Sequence, residues 1–349
     1  MKLALYSLFA DTSSMHNGDD AERARIRAWY SQHWLLLSMI DGFARAYKVP
    51  IENYCRWDDT GGPARFQRPE GCLSSIVFER DDLCLMAAED TGTYPVGVAM
   101  DLLDKTRLGP FLSNHGFDTL YAKRVYGVDA INIEDFIIKP VIATGQAKPF
   151  THFADGNPAP FFCYKRYHNA AELEAEAAAR NEDLQTWLAT GEYLVQEANM
   201  NPQWRLLSIG GAVNENSDVL FWRHADTRRE DPERRLQMVR TFSGAENEKA
   251  LLREFVKTVM IRNTAFMVQF LQVGNRSVFI DWNFRIPPRW MVDCDRVDPN
   301  EFYRAMCHML DIKTSLPDVF PGDWVLDCSS VVEGVDGAVH GDLPIRVVP

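Results

Sequence analysis

The 349 residues carry 37 Lys and Arg against 49 Asp and Glu, a formal net charge of -12, with 46% hydrophobic and 25% charged side chains. This is the composition of a soluble globular chain long enough for two or three lobes around sizeable cores. Its acidity argues against nucleic acid as a partner, because a phosphate-backbone binder needs a basic footprint. Seven scattered cysteines form no CxxC pair and the eight histidines show no zinc spacing, the usage of a cytoplasmic protein with reduced thiols.

The first elements belong to an α/β layer over residues 1–104. Leu3–Phe9 reads as a buried strand rather than a signal peptide, and no stretch is long and apolar enough to span a membrane. Ala21–Tyr47 sets Ile26, Trp29, Tyr30, Trp34, Leu37 and Ile40 near a 3.6-residue period and predicts a long helix. The run from Trp57 to Pro63 is turn-rich, and Ser75–Phe78 and Asp82–Met86 are strand-like.

A second block, residues 105–195, alternates again. Asp101–Asn114 predicts a helix stopped near Gly116. Ile133–Ile142 predicts an apolar strand containing Lys139, and Pro158–Lys165 a second strand. Ala170–Ala189 predicts one helix of good formers, and Glu192–Ala198 a strand ending in Gln196-Glu197.

The third block, residues 196–312, opens on strands at Trp204–Gly210 and Val219–Arg223. The charged run Asp226–Arg235 reads as a solvated loop, and Glu246–Ala265 as a helix. Phe266–Leu271 and Val278–Ile286 predict a hairpin turning at Gly274-Asn275. Residues 313–349 read as a wrapping tail.

The chemistry concentrates on Val278–Ile286. Strand alternation puts Asp281, Asn283 and Arg285 on one face, opposite Val278, Ile280, Trp282, Phe284 and Ile286. Asp281 and Asn283 offer oxygens of the kind Mg²⁺ prefers, and Arg285 can hold a phosphate in fork geometry. A wet amphipathic surface strand would read the same way. A three-residue loop centred on Asn275 would set Gln269 directly across from Asp281, joining it to that oxygen-rich patch. Lys139, inside an apolar strand, suits a nucleotide phosphate, or lays its stem on the core while its ammonium reaches water. The small, polar run Ala143–Lys148 could cover phosphates, though it matches no phosphate-loop fingerprint. Gln196 ends a strand where exposed backbone and an amide could read an adenine edge.

The succession of a Lys-Pro strand, a small polar loop, a strand, a helix, Val-Gln-Glu and an Asp-x-Asn-x-Arg strand resembles the ATP-grasp superfamily over roughly residues 101–290. That resemblance implies an α/β architecture with an N-terminal lobe and two central lobes clamping ATP. It implies that Lys139 and Lys105 hold the nucleotide, that Thr144 and Gly145 lie in the phosphate cover, and that Gln196 and Glu197 form the adenine hinge. Gln203 falls at the ribose position, Asp281 and Asn283 match the Mg²⁺ (or Mn²⁺) ligands, and Gln269 replaces the usual third acid. Arg285 matches the arginine that follows the metal signature. Arg205 and Arg223 resemble the carboxylate-side arginines of ribosomal-protein glutamate ligases and glutathione-synthetase-like enzymes.

The implied activity is ATP-dependent joining of a small-molecule or peptide carboxylate to an amine through an acyl phosphate. A phosphotransferase, or a nucleotide-binding scaffold that has lost catalysis and acts through a partner, are the alternatives, the latter prompted by Gln269 and the glycine-poor loop. A homodimer is the commonest state of soluble oligomers.

Overall fold

A computed structural model describes residues 2–6, 40, 43–44, 46–54, 72–77, 93–95, 97–141, 160–163, 165–198, 205–228, 238–241, 245–273, 276–284, 296–297, 299–313, 325–327 and 346–348. In chain order the elements are β1 (Lys2–Tyr6), β2 (Ile51–Tyr54), β3 (Cys72–Val77), α1 (Val98–Leu103), α2 (Lys105–Ser113), β4 (Asp118–Thr119), β5 (Ala122–Val125), β6 (Phe136–Pro140), β7 (Arg166–Tyr167), α3 (Ala170–Arg180), α4 (Leu184–Ala189) and β8 (Tyr193–Glu197). They continue with β9 (Arg205–Val213), β10 (Val219–Arg228), β11 (Met238–Thr241), α5 (Glu246–Thr258), β12 (Thr264–Val273), β13 (Arg276–Asn283), β14 (Arg296–Val297), α6 (Pro299–Met309), β15 (Val325–Asp327) and β16 (Arg346–Val348). Among the described residues no helix is long and apolar enough to cross a membrane.

The residues fall into two compact units, one of 1–96, 205–269 and 282–349, the other of 97–204 and 270–281. In the first, a mixed sheet runs β11-β10-β9-β12-β3-β1-β2. β1 pairs in parallel with both β2 and β3, and β10 pairs antiparallel with β9 and β11. The core of this unit is aromatic. Phe266 stacks on Trp282 (4.7 Å between centroids), Phe255 meets the same indole edge-on, and the indole nitrogen donates to the Tyr94 hydroxyl (3.4 Å). That hydroxyl is fully enclosed, which raises its pKa far above the usual tyrosine value. β14, β15 and β16 form a small antiparallel sheet of their own.

The second unit holds an antiparallel sheet ordered β5-β8-β6-β7. One face is packed by Val125, Phe136, Ile138, Tyr193 and Val195 against Leu173, Leu184 and Leu188 of α3 and α4. In the same unit the turn end of the β12–β13 hairpin pairs with β4 and buries Phe279 against Phe117 and Phe270.

Several elements differ from expectation, and each difference has a local cause. The helix expected over 101–114 is two, because Asp104 takes an extended backbone (φ -76°, ψ 108°) and caps α2 by accepting from Thr106 N (2.8 Å) and Thr106 Oγ1 (2.6 Å). The helix expected over 170–189 also breaks. Asn181 adopts φ 55°, Glu182 N returns to Ala177 O (3.0 Å) in a Schellman turn, and Asp183 caps α4. α5 ends at Thr258 because Met260 (φ 58°) and Asn263 (φ 49°) turn the chain into β12.

The strand expected at 158–165 is instead an isolated bridge, Ile138 to Cys163, with the regular pairing at β7. The run expected to be a loop from Asp226 is strand as far as Arg228, with Asp226, Thr227 and Arg228 opposite Arg240, Val239 and Met238. The expected elements at Asp82–Met86 and Trp57–Pro63, and most of the helix from Ala21, lie outside the described residues.

Gly211 of β9 lies under the Phe266 ring. A Cβ there would come within 2.6 Å of ring carbon Cζ. Gly211→Ala is therefore expected to destabilise the protein by roughly 1–3 kcal/mol through overpacking, measured as a lowered denaturant midpoint with an unchanged slope.

Candidate nucleotide site

The sheet of the second unit has a core face and a working face. In β6, Phe136 and Ile138 point into the core, so alternation turns Ile137 and Lys139 the other way. Register carries this face across the sheet. Lys139 stands opposite Leu194 and Ile137 opposite Gln196, while β5 sets Arg124 opposite Leu194 and Ala122 opposite Gln196. An interrupted apolar run thus becomes an ordinary two-faced strand.

Lys105 reaches the same neighbourhood through backbone geometry. The break at Asp104 starts α2 at Lys105, whose N–H donates to Val141 O at the exit of β6 (2.9 Å). Val141 N in turn donates to Glu192 O (2.7 Å), which ties β8 to the same corner. Asp281, near the end of β13, forms an ion pair with Lys105. The Lys105 side chain is only 11% exposed and Asp281 25%, so this is no loose surface pair.

Lys139 lies close enough to feel both partners. Enclosure by protein pushes its amine down to about 7, and the Lys105 ammonium pushes the same way, against the pull of Asp281. Two amines and one carboxylate therefore share a half-buried patch, an arrangement that favours an anion.

Beside this patch lies a small recess lined by Lys105, Leu108 and Leu112 of α2, together with Leu120, Gln196 and Phe279. Gln196 is 8% exposed, and its Oε1 is buried with no hydrogen-bond partner among the described residues. A buried acceptor without a donor costs free energy. A ligand amine would satisfy it, so the residues fit a nucleobase with an exocyclic amino group. Glu197 is fixed through its backbone, donating to Tyr121 O (3.0 Å), and Ala198 N donates to Asp135 O (2.6 Å).

The donors on β13 also fit a hard cation in kind, with a carboxylate at Asp281 and an amide at Asn283 two residues on. The residues before this pair are apolar. Phe279, two residues before Asp281, is buried against Phe117 and Phe270, and Ile280 is only half-buried. The ends of β12 and β13 leave two residues between them, not three. Gln272 Nε2 donates to Ser277 Oγ (3.3 Å) and Phe270 meets Phe279, so the register that set Gln269 directly across from Asp281 does not hold at the turn end.

Gln269 donates from Nε2 to Ser208 Oγ of β9 (3.4 Å). Arg205 opens β9, and Arg223 pairs with Gly210 at the irregularity in β10. The side chains of Arg205 and Arg223, and the whole of Thr144, Gly145, Gln203 and Arg285, lie outside the described residues. Sequence reasoning missed Leu108, Leu112 and Phe279 as lining residues. The helical spacing of the two leucines and the aromatic at position i-2 from Asp281 are the signals by which they could have been found.

Two outcomes follow from this geometry. Gln196→Met, which keeps the side-chain length and removes the orphan acceptor, should leave ligand-free stability unchanged or raise it by up to about 1 kcal/mol. It should weaken ATP binding at the same time, as read by melting curves with and without ATP. The Lys139 amine, at about 7 when folded against 10.5 as the reference value, binds fewer protons in the folded state between those limits. Its contribution to stability therefore rises with pH from about 7 towards 10, by at most about 1.4 kcal/mol per pH unit. Lys139→Met should flatten that slope in denaturant titrations run across the same range.

Neither protein-family models nor curated proteins give a match to this sequence. Solved structures do match its architecture. N5-carboxyaminoimidazole ribonucleotide synthetase from Thermus thermophilus aligns over 90% of this chain and 81% of its own, with a TM-score of 0.54 at 12% identity. N5-carboxyaminoimidazole synthase from Aspergillus clavatus, solved in complex with ADP, aligns over 96% and 82% with a TM-score of 0.54 at 10% identity. The ATP-grasp ligase PsnB, complexed with a minimal precursor, aligns over 88% of this chain and 99% of its own, with a TM-score of 0.51 at 12% identity. Identities this low speak for architecture alone, and on that footing the chain has the ATP-grasp fold.

Proposed function

We propose that the protein is an ATP-dependent ligase that joins a carboxylate to an amine through an acyl phosphate. The observation that carries this reading is the meeting of Lys105 of α2, Lys139 of β6 and Asp281 of β13 in one patch, beside a Gln196 oxygen unpartnered among the described residues, in a chain with the ATP-grasp fold.

In the first step a substrate carboxylate oxygen attacks the γ-phosphorus of ATP, and the bond to the bridging oxygen breaks to release ADP. In the second, the amine nitrogen attacks the acyl carbon, phosphate leaves with the carbon–oxygen bond pair, and the nitrogen loses a proton to solvent. No covalent protein intermediate is needed, so the protein contributes position and charge. Lys105 and Lys139 hold phosphate oxygens. Gln196 accepts from the adenine amino group while Glu197 supplies hinge backbone, Gln203 faces the ribose, and Thr144 and Gly145 cover the phosphates. Arg285 steadies the transferring group, and Arg205 and Arg223 hold the substrate carboxylate. Asp281 and Asn283 would hold Mg²⁺ or Mn²⁺, which when bound neutralises phosphate charge.

Purified protein incubated with ATP, Mg²⁺ and pooled amino acids should release ADP together with a new amide mass. Lys139→Ala and Asp281→Ala should each lower that rate by ~10²–10³ while retaining a cooperative melt. A stable phosphate ester without an amine would indicate phosphotransfer instead. Unchanged ATP turnover in both variants would remove the assignment of the site.

A further inference from the structure

Asp281 carries the whole formal negative charge that the proposed metal ligands supply, since Asn283 is an amide. Among the described residues no group of three or more His, Cys, Asp or Glu side chains could hold a metal ion. That single carboxylate is already neutralised by Lys105, and Lys139 lies beside both. One carboxylate thus faces one ammonium, with a second amine beside the pair. A divalent cation approaching Asp281 alone meets a neutral or positive patch and must also displace Lys105 from a shielded ion pair. A polyphosphate changes this balance, because its oxygens offer both amines another partner and leave the carboxylate available.

We propose that Lys105 masks Asp281 in the nucleotide-free protein, so that a divalent cation binds there only when phosphate oxygens draw Lys105 away. This deepens the ligase reading and rests on its assignment of Asp281 as a metal ligand. The consequence is a one-way order: the cation enters with or after the nucleotide and does not wait in an empty site. By linkage, nucleotide and cation must then each tighten the other by the same factor.

The test is a Mn²⁺ titration of the full-length protein without nucleotide, following free Mn²⁺ by electron paramagnetic resonance. Wild type and Lys105→Arg, which keep the charge, should bind Mn²⁺ weakly or not at all. Lys105→Met, which keeps the stem and removes the charge, should bind at least about tenfold more tightly, and adding Asp281→Asn to it should abolish the gain. Equal Mn²⁺ affinity in wild type and Lys105→Met overturns the proposal, as does a gain that survives Asp281→Asn. Should Lys105→Met fail to fold, tight Mn²⁺ binding by wild type that Asp281→Asn removes overturns it equally. ADP binding, measured separately by calorimetry, keeps the two readings apart. A chain that binds no ADP sinks the ligase proposal, while the Mn²⁺ comparison alone decides whether Lys105 masks Asp281.

Discussion

Burial of an amine beside a second amine is the constraint on which the site turns. Lys139 sits on the side of β6 away from a filled apolar core, so it cannot rotate into that core. The surrounding protein still encloses its amine and disfavours the charged form. Enclosure and the Lys105 ammonium both disfavour protonation, and only Asp281 opposes them. A protein selected for stability alone would replace Lys139 with an apolar residue, as Ile137 and Ile138 beside it already show. An enclosed amine kept in such a place is useful if an anion visits, because the low polarity that penalises it empty strengthens its hold on a phosphate.

The backbone makes this possible at small cost. Splitting one helix into α1 and α2 sacrifices a turn of helical hydrogen bonding, but Asp104 recovers two donors from Thr106, and the freed Lys105 N–H finds Val141 O. The ends of β6, β8 and α2 are thereby fixed to one another through main-chain groups. The positions of Lys105 and Lys139 follow from that framework and not from the side chains holding each other. Preorganisation of this kind lets charges act on a ligand without reorganising when it arrives.

Much of this was legible in the residues. The apolar strand with a lysine in it, the Val-Gln-Glu strand end and the Asp-x-Asn strand all appear, because two-residue alternation against one core is a strong local signal. What stayed hidden was of two kinds. Helix breaks at Asp104 and Asn181 were lost under good helix formers, although an aspartate two residues before a threonine and an asparagine before Glu-Asp are recognisable cap chemistry. The pairing of Lys105 with Asp281 was hidden for a deeper reason. The partners are 176 residues apart, and no pattern within either segment refers to the other.

On the proposed reading, that pairing also recasts Gln269 and Asp281. Read along the chain, Gln269 in place of an acid and Asp281 as the lone carboxylate look like losses, a metal site short of charge. The ion pair gives the lone carboxylate a different meaning. With two acids present, one lysine could neutralise only half the charge and the remainder would attract cations at all times. With one acid, a single lysine neutralises it completely, and the patch stays neutral or positive until phosphate arrives. On the proposed reading, one carboxylate in place of two trades standing cation affinity for dependence on the nucleotide. A site built this way can be weak for each component alone and strong for the two together, without any further residue being added.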